Sequence, residues 1–196
     1  MHKRKIYVII IIGETIMNLE ALNDENINSA IEMQKEIFPL ENGSEDLKEA
    51  FNNICPPHQF LQKYWLAKDN GRYVGICGLY AYKFAPKDAW LGWFGILENA
   101  RGKGLGTFLL KEIMGKAKKM GFDTLRLYTD EEDNAVAVKL YEKIGMIKEV
   151  YNNPEDIHFE VGNTLIFSIS LTNAETRLWN NKNLFLNSHE EKNKKL

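Results

Sequence analysis

The chain has 196 residues, 44% of them hydrophobic and 27% charged, with a net charge of −2. That describes one ordinary domain with a full core, and it excludes a global basic field for nucleic acid. Two scattered cysteines, Cys55 and Cys77, point to a reducing, cytoplasmic setting, and histidines 2, 58, 158 and 189 lack the spacing of a metal site.

His2–Lys5 followed by the apolar run Ile6–Ile12 has the first two regions of a signal peptide. The run is too short to cross a bilayer, which needs about 20 residues, and no small-x-small cleavage site follows. Residues 1–16 therefore read as a leader or as an extra β-branched strand on a sheet edge, with the domain occupying 17–172. Nothing in the chain calls for a membrane.

Met17–Leu22 alternates as a first strand. Asn23 or Asp24 caps a helix running to about Phe38, with Ile27, Ala30, Ile31, Met33 and Ile37 on its apolar face. Ser44 caps a second, short helix that ends before Pro56-Pro57. Lys63–Lys68 and Tyr73–Phe84 form a hairpin about Asp69-Asn70-Gly71, and Ala89–Leu97 is the next strand. Gly104–Met120 is a long helix striped by Leu105, Leu109, Ile113, Met114, Ala117 and Met120, and Gly121 closes it. Its lysines at 111, 116, 118 and 119 read as a solvated face. Thr124–Thr129 is a strand, and Asp133 or Asn134 caps a helix that runs to Ile144. Met146–Tyr151 and Leu165–Leu171 complete the sheet. This order predicts a mixed α/β sheet with helices on both faces. The tail 173–196 is polar, with Trp179 to Leu186 docking on the body and Glu190–Leu196 disordered.

Between the strand Ala89–Leu97 and the long helix lies Arg101-Gly-Lys-Gly-Leu-Gly106. A glycine turn feeding a helix start presents free backbone N–H groups, and the helix dipole, Arg101 and Lys103 add positive charge. Together they predict an anion site for phosphate or pyrophosphate. The P-loop pattern is absent, because Gly104 follows Lys103. Gly102, Gly104 and Gly106 give G-x-G-x-G, which fails the dinucleotide pattern G-x-G-x-x-G. Arg101, Gly104 and Gly106 do satisfy Arg/Gln-x-x-Gly-x-Gly/Ala. A second motif, Asn134-Ala-Val-Ala-Val-Lys-Leu-Tyr-Glu-Lys-Ile-Gly-Met146, fits Asn-x-x-Ala-x-x-Leu/Phe-Tyr-x-x-x-Gly-Phe except for Met146 in place of Phe.

On these two motifs the chain resembles the GNAT superfamily of N-acetyltransferases, over roughly residues 17–171. The resemblance implies a single α/β domain with a mixed, mostly antiparallel twisted sheet of about seven strands, flanked by helices on both faces. It implies acetyl-coenzyme A as co-substrate and no metal. The diphosphate would lie on Arg101, Gly102, Lys103, Gly104, Leu105, Gly106 and Thr107. The pantetheine arm would add to the strand at Phe94, Ile96 and Leu97, with Asn134 assisting, and the Ile96 amide would polarise the thioester carbonyl. The first two helices would flank the acceptor, an amine of a small molecule or a protein, and a sheet-edge homodimer is common in the family.

Tyr141 is the candidate general acid for the leaving thiolate, since a phenol of pKa about 10 is protonated at neutral pH. Packing against Leu140 or Ile144 is its purely structural alternative. The base is not legible: where some relatives carry a glutamate this chain has Trp90, while Asp88 and Glu98 read as turn residues. The aromatic residues Tyr64, Trp65, Tyr80, Tyr82, Trp90 and Trp93 read mostly as core, a few as walls of an acceptor pocket. Two functions follow. One is acetyl transfer to a primary amine by direct attack on the thioester. The other is a non-catalytic acyl-CoA-binding or sensing module.

Overall fold

The computed structural model describes residues 10–12, 15–130, 134–153, 164–182 and 184. Eight strands form one sheet: β1 (Ile10–Ile12), β2 (Thr15–Ala21), β3 (Gln59–Asp69), β4 (Arg72–Tyr82), β5 (Asp88–Ile96), β6 (Thr124–Asp130), β7 (Ile147–Val150) and β8 (Thr164–Ser170). Their order is β1-β2-β3-β4-β5-β6-β8-β7. Four helices accompany them: α1 (Ile27–Ile37), α2 (Ser44–Phe51), α3 (Leu105–Lys119) and α4 (Ala135–Ile144). The short β1 is an addition to the expected seven strands. It pairs antiparallel with β2, from Ile10–Met17 to Ile12–Thr15.

The β3–β4 hairpin turns on two residues, Asn70 at φ 45° and Gly71 at φ 82°. Both are left-handed, as a type I′ turn requires, and Asn-Gly is the pair best suited to it. β5 and β6 run parallel and are linked by the α3 crossover. Their ladder covers Asp88–Thr124, Ala89–Leu125 and Trp90–Arg126. β8 lies between β6 and β7 and is antiparallel to both.

This α/β domain divides into two compact units. The first comprises Met1–Ile54, Lys63–Gly78 and Trp93–Leu109. Its core joins Ala30, Ile31, Met33 and Leu47 of α1 and α2 to Tyr64, Leu66 and Ile76 of the sheet. Asn23 accepts hydrogen bonds from the backbone amides of Glu25 and Asn26, and so orders the entry to α1. Ser44 is the first residue of α2 rather than its cap. Its hydroxyl is buried without a partner, and Asn42 receives the Ser44 amide at 3.3 Å.

The second unit comprises Cys55–Gln62, Leu79–Gly92 and Leu110–Leu196. Its core gathers Tyr82, Trp90, Tyr151, Ile166, Trp179 and Leu184. Trp179 thus anchors the C-terminal segment, stacked edge-on against Trp90 at 5.0 Å. Glu149 accepts the backbone amides of Trp179 at 2.7 Å and Asn180 at 3.0 Å. Glu190–Leu196 lies outside the described residues. Along α3 the buried positions are Leu105, Phe108, Leu109, Leu110, Ile113 and Ala117, while Met120 is exposed. The expected stripe ran one turn too far, because α3 ends at Lys119 and Gly121 turns the chain away at φ 90°.

Candidate active site

In the first unit, Gly102 and Gly104 adopt φ 81° and 77°, with nothing near where a Cβ would stand. Glycine is needed there for the backbone path and not for space. The path ends on α3, whose first helical bond runs from the Phe108 amide to the Gly104 carbonyl at 3.1 Å. The amides of Leu105, Gly106 and Thr107 are therefore left without helical acceptors, at the positive end of the dipole. Arg101 and Lys103 are exposed beside them. Uncommitted amides at a helix start suit an anion.

Arg101 also reaches back along the chain. Its Nε donates to the Ile96 carbonyl at 3.0 Å. Leu97, expected as a main-chain partner of pantetheine, is committed elsewhere. Its amide bonds the Val74 carbonyl at 2.9 Å, and its carbonyl accepts the Ala100 amide at 2.9 Å. Neighbouring amides of an extended strand point to opposite edges, so the Ile96 amide points away from Val74. Phe94 is half-buried two residues earlier.

Between them and Gly92 sits a residue the sequence reading gave no special place. Trp93 holds φ 40°, a region that bulky side chains rarely adopt. Its indole N–H donates to the Asp46 carboxylate at 2.9 Å, and its ring meets Phe38 edge-on at 5.2 Å. It presses on Gly43, where an added Cβ would come within 2.4 Å of the ring. These contacts fix the backbone twist in β5 and tie it to the α1–α2 connection.

In the second unit, Tyr141 of α4 is 5% exposed and packs on Phe167 at 5.3 Å. Burial pushes its phenol well above the ordinary 10.0, so it remains a proton donor throughout the neutral range. Asn134 occupies the N-cap of α4 but makes no capping bond with its side chain, and it is exposed. Gly145 closes α4 in the left-handed region at φ 90°.

Trp90 is fully buried among Tyr82, Tyr151 and Trp179 and offers no base. Asp88 closes the turn from Ala85, its amide bonding the Ala85 carbonyl at 3.0 Å, and its side chain does more: at the head of β5 and 7% exposed, it binds Arg126 and Arg177. Glu98 is exposed and opens the 3₁₀ turn Glu98–Ala100. Tyr64, Trp65 and Tyr82 are core, and Tyr80 and Trp93 are half-buried. Among the described residues no cluster of metal-ligating side chains occurs, and no helix is long and apolar enough to cross a membrane.

The profile of the Acetyltransferase (GNAT) family matches residues 27–146. An uncharacterized N-acetyltransferase, YdgE of Bacillus subtilis, is 30% identical over 133 residues, which is 66% of this chain and 80% of that protein. The ribosomal-protein-S18-alanine N-acetyltransferase of Escherichia coli superposes with a TM-score of 0.61 at 16% identity, covering 83% of this chain and 99% of that one. Spermidine N-acetyltransferase of Vibrio cholerae, solved with CoA and spermine, gives a TM-score of 0.60 at 17% identity over 79% of this chain and 95% of that one. The fold, the glycine loop and the family match agree: this chain belongs to the GNAT family of N-acetyltransferases.

Proposed function

We propose that the protein moves an acetyl group from acetyl-coenzyme A to a primary amine of a small molecule or a protein, by direct attack on the thioester. The observation that carries this reading is the loop Arg101–Gly106, whose two left-handed glycines open α3 with three uncommitted amides. Arg101, Lys103 and the amides of Leu105 to Thr107 hold the diphosphate. Phe94 and Ile96 supply backbone groups to the pantetheine arm, with the Asn134 carboxamide assisting.

Acetyl-coenzyme A supplies an activated acyl group and a thiol leaving group. The Ile96 amide donates to the thioester oxygen, where negative charge develops during attack. Tyr141 holds its phenolic proton and delivers it to the departing sulfur. No base is assigned: the amine arrives neutral or loses its proton to water.

The test is thiol release from acetyl-coenzyme A across a diverse panel of amines, beside thermal stabilisation by the same compound. Release with at least one amine class supports transfer. Stabilisation without release across the whole panel would leave a binding module instead.

A further inference from the structure

A second cluster of charge lies within the second unit, among residues that acetyl transfer does not use. Asp88, at the head of β5, accepts from Arg126 Nε at 3.0 Å through one oxygen and from Arg177 Nη2 at 3.1 Å through the other. Arg126 Nη1 donates to Ser168 Oγ at 2.6 Å. The Arg126 side chain is only 2% exposed. Its Nη2 donates to no described residue. A recess of about 390 Å³ opens among Asp88, Arg126, Arg177, Leu178, Asn180 and Lys182.

Charge in this recess does not balance. Among the described residues, two guanidinium groups and one ammonium face Asp88, with Glu149 beside them, still charged while it accepts the amides of Trp179 and Asn180, which leaves an excess of one positive charge. The Trp179 ring lies beneath two of the cations, Arg126 at 5.3 Å and Lys182 at 5.5 Å, and so helps hold like charges together. Arg126 is buried and paired with Asp88, while the exposed Arg177 and Lys182 stand at the rim, where an oxyanion offsets the remaining positive charge.

We propose that this recess binds a dianionic oxyanion, a phosphate group either free or carried on a small metabolite. Guanidinium forks match phosphate oxygens in paired hydrogen bonds, and Lys182 adds a point charge at the rim. The volume falls in the range of about 300–1,000 Å³ common to small-molecule sites, which leaves room for a carrier. The proposal stands independently of acetyl transfer.

Inorganic phosphate and glycerol phosphate are titrated into the full chain, with sodium chloride at matched ionic strength as control. Thermal midpoint and tryptophan fluorescence are read, the latter because Trp179 touches the site. Phosphate is expected to stabilise beyond chloride. Arg177→Ala/Lys182→Ala should weaken the binding at least tenfold, while Lys103→Ala, on the other anion loop, should leave it intact. Tighter binding of glycerol phosphate assigns the site to a carried phosphate, and equal binding assigns it to the free ion. Lys182→Ala alone serves if the double variant fails to fold, since Lys182 pairs with no described carboxylate. Stabilisation no greater than with chloride overturns the proposal. So does stabilisation lost in Lys103→Ala and kept in Arg177→Ala/Lys182→Ala.

Discussion

Arg101 donates its Nε–H to the carbonyl of Ile96 at 3.0 Å, and so joins the first residue of the glycine loop to the last residue of β5. One guanidinium thereby serves two ends of the proposed donor site. Its Nε fixes the strand end, and its Nη groups stay available to phosphate. Arg101→Ala is expected to raise the KM for acetyl-coenzyme A about tenfold, equivalent to about 1.4 kcal/mol, with a smaller change in kcat. Arg101→Lys should recover only part of this, because an ammonium lacks the fork. Initial rates over a range of acetyl-coenzyme A concentrations decide it, and an unchanged KM in both variants removes Arg101 from the role.

Gly104 and Gly115 make a matched pair for the same substitution. At Gly104, φ is 77°, where a side chain costs about 1–2 kcal/mol. At Gly115, inside α3, a Cβ meets open space and the helix gains about 0.5–1 kcal/mol. Gly104→Ala should lower the thermal midpoint by about 2–8 °C and Gly115→Ala should raise it by about 1–4 °C, at about 2–4 °C per kcal/mol for a chain of this size. Calorimetry of the two variants checks both signs at once.

Tyr141→Phe is expected to lower kcat by about a hundredfold, the lower range of general acid catalysis, while the KM for acetyl-coenzyme A changes little. The raised phenol pKa also fixes a pH dependence. The folded state holds this proton more tightly than the unfolded chain does. Its contribution to stability is complete below the ordinary value of 10.0 and is lost as pH rises beyond it. Rate profiles of the native enzyme should therefore show no loss from Tyr141 ionisation between pH 6 and about 10. A kcat within threefold of native in Tyr141→Phe would count against the assignment.

Asp88 and Arg126 are both buried, whereas the Arg177 side chain is 61% exposed. Asp88→Ala strands the Arg126 guanidinium in the interior and should cost about 3–5 kcal/mol. Arg177→Ala removes a solvent-screened partner and should cost less than about 1 kcal/mol. Urea unfolding of the two variants measures the gap, and equal costs would contradict it.

Local signals made much of this molecule readable. Asn70-Gly71 announces the hairpin because that pair tolerates left-handed backbone in both positions. Gly121 and Gly145 mark helix ends for the same reason. The loop at Arg101–Gly106 was legible because its chemistry is backbone chemistry, carried by neighbours in the chain. Trp93 was not legible. Its left-handed backbone is held by Asp46, Phe38 and Gly43, all about 50 residues earlier, and nothing in Gly-Trp-Phe-Gly announces it. The backbone bonds of Leu97, to Val74 and Ala100, were equally hidden, because they depend on where β4 and the next turn lie.

The sequence by itself determined which segments pair and turn, and where a glycine loop opens a helix, because hydrophobic period and glycine backbone freedom act over a few residues. Only the tertiary structure decided what the long side chains do. Asp88 and Arg126 are 38 positions apart and become neighbours through the parallel β5–β6 ladder. Arg177 joins them from the C-terminal segment, which Trp179 anchors in the second unit's core. Electrostatic energy depends on distance through space and on burial. Both are set by packing, so a charge that reads as a turn residue along the chain becomes a buried bridge in the fold.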